Sequence, residues 1–251
     1  MMSTAWAPRT LVVGGSRGIG RATVLRLARL GAPVALAFQG NVDRAEETAK
    51  EAAGAGGHIT LLRGDIASDA SRLVDDAAAA LGGLDLLVVT AVPVITGRIA
   101  SVTHEQFQRA MDVVVWGVQQ AVVAARPHLA ASGGSAIAVS SLGSWQYAGY
   151  YGALGPAKAA LESTIRYLAA ELGRDGVRVN GVSPCLIDDL QHVAEAPEVA
   201  AFMEATAKRT QLRRLATPDD IAGTILALAS PDCAFVTGEV LKVDGGYSLL
   251  A

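Results

Sequence analysis

Residues 11–28 read LVVGGSRGIGRATVLRLA. A short apolar run, Leu11–Val13, gives way to glycines at 14, 18 and 20 and then to apolar residues at helical spacing. Glycines in that context permit a tight strand-to-helix turn and let backbone approach a ligand closely. The helix they open would present free N–H groups and the positive end of its dipole. A strand, a glycine turn and a helix in that order read as the phosphate-binding start of a dinucleotide site. A purely structural turn is the competing reading.

The rest of the chain repeats that alternation. Further strands are expected at Val34–Phe38, Ile59–Arg63, Leu86–Thr90, Ala136–Ser140, Val177–Val182 and Val240–Val243. Most are continuous apolar runs, as strands covered on both faces require. Helical spacing marks Arg21–Leu30, Val42–Ala53, Ser68–Leu81, Thr103–Ala131, Lys158–Leu172 and Pro218–Ala229. Thr217-Pro218-Asp219-Asp220 combines a cap, a first-turn proline and acids at the positive helix end. Strands alternating with helices predict an α/β fold: a doubly wound parallel sheet of about seven strands with helices on both faces. A single domain over residues 1–251 is expected. The polar, acidic stretch 186–215 interrupts the pattern and reads as a substrate lid or as a surface helix pair.

Composition narrows the function. Of 251 residues, 51% are apolar and 18% charged, so a large core is expected. The net charge of −3 and the lack of a basic block argue against nucleic acid or an anionic membrane as partner. The most apolar run, LDLLVVTAVPVIT, is interrupted by Asp85 and Pro93 and is too short to span a bilayer. No signal peptide is evident, and the two cysteines, Cys185 and Cys233, lack metal-site spacing. The four histidines stand singly. A cytoplasmic protein without a metal is expected.

The second strand ends Phe38-Gln39-Gly40-Asn41, with no acid to hold a ribose 2′-hydroxyl. Arg17, in the glycine loop, offers a cation for a 2′-phosphate. NADP(H) is therefore the expected cofactor, against Arg17 as a plain solvated charge. Asp65 is placed to accept from an adenine amino group or to cap the next loop.

Together the glycine loop, Asp65-Ile66, LDLLV, AVSS, the lysine helix, GVRVNGVSP and the closing VDGG resemble the short-chain dehydrogenase/reductase family, a Rossmann-type fold, over nearly the whole chain. Within it, SSLGS, YYGALGPAKAALE and VDGGYSLLA look most similar to enoyl-acyl-carrier-protein reductases. Those carry Tyr-x6-Lys where ordinary members carry Tyr-x3-Lys. Tyr151 and Lys158 match the longer spacing, and Leu154 fills the ordinary tyrosine's place.

The resemblance implies cofactor contacts at Gly14, Ser16, Arg17, Gly18, Ile19, Gly20, Asp65, Ile66, Ala91, Lys158, Pro184 and Ile187. It implies Tyr151, Lys158 and Ser141 as catalytic residues, with Tyr147 as a second candidate phenol. Ser141 either donates to the same oxygen as the tyrosine or organises its loop. A homo-oligomer, a tetramer, is implied as well. The expected reaction is NADPH-dependent reduction of an α,β-unsaturated acyl thioester carried on coenzyme A or acyl carrier protein. A carbonyl reductase with a displaced tyrosine and a non-redox scaffold are the alternatives.

The spacing has a physical rationale. Four helical residues rise ~6 Å and seven ~10 Å. Hydride added at the β-carbon of an enoyl thioester throws charge onto a distant oxygen, which a tyrosine further from the lysine can meet. Lys158 is expected to lower the phenol's pKa. Gly152, Gly155 and Pro156 complicate this, since a helix starting at Pro156 would leave Tyr151 on a loop. Other family positions are altered: Val13, Val89 and Val114 replace polar residues, Cys185 follows Pro184, and Asp189 stands where a threonine would face the pyrophosphate. A solvent-facing Asp189 is expected. Turned inward, it would oppose the cofactor.

Overall fold

The structure is a computed structural model that describes residues 6–189 and 197–250. Its strands are β1 (Thr10–Val13), β2 (Pro33–Phe38), β3 (His58–Arg63), β4 (Leu86–Val89), β5 (Ser135–Val139), β6 (Arg178–Pro184) and β7 (Val240–Val243). They form one parallel sheet in the order β3-β2-β1-β4-β5-β6-β7. The order reverses at β1 and β4, so their carboxyl ends open a crevice where ligands of such sheets bind.

The apolar runs divide their side chains between two layers. Leu11, Val13, Ala35, Ala37, Leu87, Val89, Ala136 and Ala138 face one side. There they pack on α3 (Ile66–Leu81), α5 (Gly117–Ser132) and α6 (Leu154–Leu172). Val12, Val34, Leu36, Leu86, Val88, Ile137 and Val139 face the other. They pack on α1 (Gly18–Arg29), α2 (Val42–Gly54) and α8 (Pro218–Ala229). Burial on both faces explains why these strands lack alternation. Val13, Val89 and Val114, apolar at polar family positions, are all buried in the first layer.

Three segments depart from the periodicity. The span Thr103–Ala131 is α4 (His104–Met111), a π turn over Asp112–Trp116, and then α5. The π turn adds a residue without breaking the rod, so an apolar count does not show it. Helix α6 starts at Leu154, a turn before Lys158. Pro156 falls in its first turn, where a missing N–H costs nothing. Within 186–215, α7 covers Pro197–Arg209. Residues 190–196 of the stretch read as a lid lie outside the described residues.

Candidate active site

Two cavities flank the carboxyl ends of the central strands. The larger, about 550 Å³, lies over the turn from β1 to α1. It is lined by the glycine loop, the ends of β2 and β3, Thr90–Val94, Ile187 and Asp189. Its floor is built on absent side chains. A Cβ on Gly20 would stand 2.1 Å from the Gly14 carbonyl oxygen, and one on Gly14 would stand 2.7 Å from Thr90 Oγ1. Thr90 in turn donates to the carbonyls of Val13 and Gly14 at 3.1 and 3.2 Å. Gly14 and Gly18 have φ of +90° and +52°, which L side chains rarely adopt. The first residues of α1 have no side-chain cap and no acid among them. Open N–H groups above a glycine floor fit a dinucleotide diphosphate.

Of the residues expected to hold it, Gly14, Ser16, Arg17, Gly18, Ile19, Gly20, Asp65, Ile66, Ala91 and Ile187 line this cavity. Pro184 is buried at the end of β6, and Lys158 is buried beneath β5; neither lines it. Asp65 takes its capping role: Oδ1 accepts from the N–H of Ala67 at 3.0 Å. Its Oδ2 accepts from Gln39 at 2.9 Å and from Arg109 at 2.7 Å. Arg109 and Arg44 line the cavity and were not singled out in the sequence. Arg44 is the third residue of α2, whose cap is Asn41. A motif reading misses both because they stand on helices away from any glycine signature.

Asp189 corrects an expectation. Its carboxylate turns inward: a Cβ on Gly18 would meet Asp189 Oδ2 at 2.6 Å. The neighbouring Asp188 is the exposed acid of the pair.

The second cavity, about 350 Å³, is aromatic and apolar and is lined by Ile99, Gly143, Trp145, Tyr147, Tyr150 and Tyr151, with Arg98 at its edge. Tyr151 is placed by backbone, not by its own helix. Gly97 donates to the Tyr150 carbonyl and Gly152 donates to the Gly97 carbonyl, both at 2.9 Å. A Cβ on Gly152 would stand 2.4 Å from the Ile99 nitrogen, so this close pairing needs glycine. Tyr150 absorbs the turn with φ of +60°. The winding nevertheless reaches Tyr151, whose carbonyl accepts from the Gly155 N–H at 2.7 Å.

The Tyr151 ring lies against Gly143, whose added Cβ would be 2.7 Å from the ring edge. Burial holds its phenol above the ordinary tyrosine pKa, and the nearby Ser141 hydroxyl partly offsets this. Lys158 does not contribute, so the expected depression of the phenol by the lysine is not what the structure gives. At neutral pH Tyr151 is a neutral O–H donor. Ser141 also organises its loop, accepting from the Gly143 N–H at 3.2 Å. Tyr147 is 84% exposed at the cavity mouth, apart from the Ser141–Tyr151 pair.

Lys158 is 4% exposed and donates to the Val139 carbonyl at 2.5 Å, at the end of β5. Burial pushes its pKa down to about 8, and the Glu162 charge one turn on works against that shift. Glu162 accepts from Ser140 at 2.6 Å and Ser144 at 2.5 Å, which fixes it beside the loop that carries Ser141. Leu154, four residues before Lys158, is buried in the core layer.

The parallel sheet, the glycine floor and the buried lysine at the end of β5 are those of an oxidoreductase of the nicotinamide type. The comparisons agree on its family. The model of the family described as enoyl-(acyl carrier protein) reductase matches residues 13–248. A 1-cyclohexenylcarbonyl-CoA reductase of Streptomyces collinus is 35% identical over 96% of this chain and 87% of its own. An L-rhamnose 1-dehydrogenase (NAD(P)(+)) of a Sphingomonas species is 34% identical over 94% of each chain. Among solved structures, a short-chain dehydrogenase/reductase from Serratia marcescens superposes with a TM-score of 0.87 at 31% identity, over 95% of this chain and 97% of that one. The chain belongs to the short-chain dehydrogenase/reductase family, and the fold expected from its sequence is the fold it has. Members of that family use nicotinamide cofactors. Among the described residues no helix is long and apolar enough to cross a membrane.

Proposed function

We propose that the protein is an NADPH-dependent reductase of α,β-unsaturated acyl thioesters. The observation that carries this reading is Tyr151. It is the part-buried phenol close to Ser141, seven residues before the buried Lys158, while the position four before that lysine is a core leucine. A family relative named for a cyclohexenylcarbonyl-CoA, itself a conjugated enoyl thioester, supports the same substrate class. Choice of the phosphorylated cofactor is supported by the end of β2. There Gln39, Asn41, Arg17 and Arg44 line the cavity, with no acid among the residues that follow β2 directly.

The cofactor, when bound, supplies hydride. The protein's own groups supply the rest. Lys158, held to Val139, places a fixed positive charge beneath the site. Its pKa of about 8 keeps it mostly protonated at neutral pH. Tyr151 O–H, neutral because buried, donates to the thioester oxygen on which charge develops. Ser141 orients that phenol. The aromatic cavity of Trp145, Tyr147 and Tyr150 takes the acyl chain. Coenzyme A or acyl carrier protein is the carrier, and the working form is a homotetramer.

NADPH oxidation by crotonyl-CoA and by acetoacetyl-CoA tests the reading. Turnover with the first and not the second supports it. The reverse preference would make the protein a ketone reductase instead.

A further inference from the structure

The inward carboxylate of Asp189 is unexplained by the reading above. Asp189 lies in both the 550 Å³ cavity and an adjoining one of about 650 Å³. Ser16, Arg17, Gly18 and Arg44 line the same two cavities, so Asp189 stands at their common wall. Its Oδ2 fills the space a Cβ on Gly18, the first residue of α1, would need, 2.6 Å from that position. That is the positive end of a helix without an acid in its first turn and without a side-chain cap. A carboxylate is favoured there for the same reason a phosphate is.

The backbone fixes this placement. Asp188 N–H donates to the Ala216 carbonyl at 2.8 Å, and Asp189 N–H donates to the Ile187 carbonyl at 3.0 Å. Ile187 and Ala216 pair as a parallel bridge. The turn that carries Asp189 is therefore anchored to the strand-like segment before α8. Charges lining the adjoining cavity are partly engaged elsewhere. Arg21 pairs with Glu51, and Asp219 with Arg26. Among the described residues no ion pair within 4.0 Å joins Asp189 to Arg17 or Arg44.

We propose that Asp189 is an internal competitor for the dinucleotide diphosphate. Its carboxylate occupies the anion position at the start of α1 in the free protein, and the cofactor must displace it. Affinity for any ligand with a diphosphate is thereby held down, while ligands of the adenosine end alone are unaffected. This rests on the dinucleotide reading of the 550 Å³ cavity and says what sets the affinity there.

The test is a fluorescence or calorimetric titration of NADPH and NADH into the native chain, Asp189→Asn and Asp188→Asn. Adenosine 2′-monophosphate, which has no diphosphate, is titrated beside them. Asp188→Asn removes the same charge from an exposed neighbour and separates a local effect from a general one. Asp189→Asn is expected to tighten the bound dinucleotide by about tenfold or more. It should leave adenosine 2′-monophosphate unchanged, and Asp188→Asn should change neither. Equal dinucleotide affinity in the native and Asp189→Asn proteins overturns the inference and leaves the proposed function standing. Equal tightening of adenosine 2′-monophosphate, or by Asp188→Asn, also overturns it. Binding of NADH without NADPH removes the NADPH preference, and Asp189 is then judged on NADH. Binding only after Asp189→Asn supports the inference and denies the native chain its reductase role. No dinucleotide binding by any of the three proteins ends both.

Discussion

Lys158 Nζ donates to the carbonyl oxygen of Val139 at 2.5 Å, which ties the second turn of α6 to the last residue of β5. The bond partly satisfies an ammonium that is 4% exposed, and it fixes the charge beneath the loop carrying Ser141. Burial nevertheless makes that charge expensive, and two predictions follow from its lowered pKa.

The first concerns stability. The unfolded lysine keeps its proton to about 10.5, and the folded one releases it at about 8. Below pH 8 both states are charged, and the folded state bears the whole burial cost. Between pH 8 and 10.5 the unfolded state binds more protons, so stability rises with pH. Lys158→Met removes the titration. It should be inactive yet more stable than the native protein at pH 7, by on the order of 1–3 kcal/mol after the lost hydrogen bond is counted. The advantage should vanish near pH 10.5. Urea melts of both proteins at the two pH values measure this.

The second concerns Glu162, a positioning residue held by Ser140 and Ser144. Its charge raises the Lys158 pKa toward the ordinary value. Glu162→Gln keeps a hydroxyl acceptor but removes that charge. The alkaline fall of turnover should then begin roughly half to one pH unit lower. Turnover at pH 6 should change little by comparison. An unshifted alkaline limb would mean that Glu162 only packs the loop.

Gly152 permits the backbone pairing that seats Tyr151. A methyl group there would stand 2.4 Å from the Ile99 nitrogen, which is backbone and cannot rotate away. Gly152→Ala is expected to cost about 1–3 kcal/mol and to lower kcat with the loss of Tyr151's position. Thermal melting and steady-state kinetics of the purified variant give both quantities.

Arg17 and Arg44 line the cavity beyond β2, where no acid follows the strand. Replacing both with alanine should weaken NADPH by about tenfold or more and leave NADH within about twofold. Parallel Kd measurements with the two cofactors decide it. Equal losses for both would assign the arginines to some other part of the dinucleotide.

A doubly wound parallel sheet with helices on both faces could be read in the sequence because continuous apolar strands and helical spacing are local signals. The helix Pro218–Ala229 was legible to the residue, since its capping box and first-turn proline are written in four consecutive letters. The π turn at Asp112–Trp116 was not, because one extra residue leaves an apolar stripe almost unchanged. The early start of α6 was hidden by glycines that serve contacts with Ile99 and Gly143, far away in sequence. A capping role for Asp65 was legible from its place after β3, but that it caps a helix starting at Ile66 rather than at Ser68 was not. Its bond to Arg109 was not, because it joins elements 44 residues apart. The direction of Asp189 was misjudged because charge alone argues for solvent, whereas the helix end it faces becomes visible only in three dimensions.

Everything proposed about the reaction depends on the Tyr151 phenol, so its removal is the most direct measurement. Tyr151→Phe should lower kcat for NADPH oxidation by crotonyl-CoA by about a hundredfold or more, with the Kd for NADPH unchanged. Tyr147→Phe, altered at an 84% exposed ring, should behave as the native protein. Full turnover in Tyr151→Phe would contradict the account.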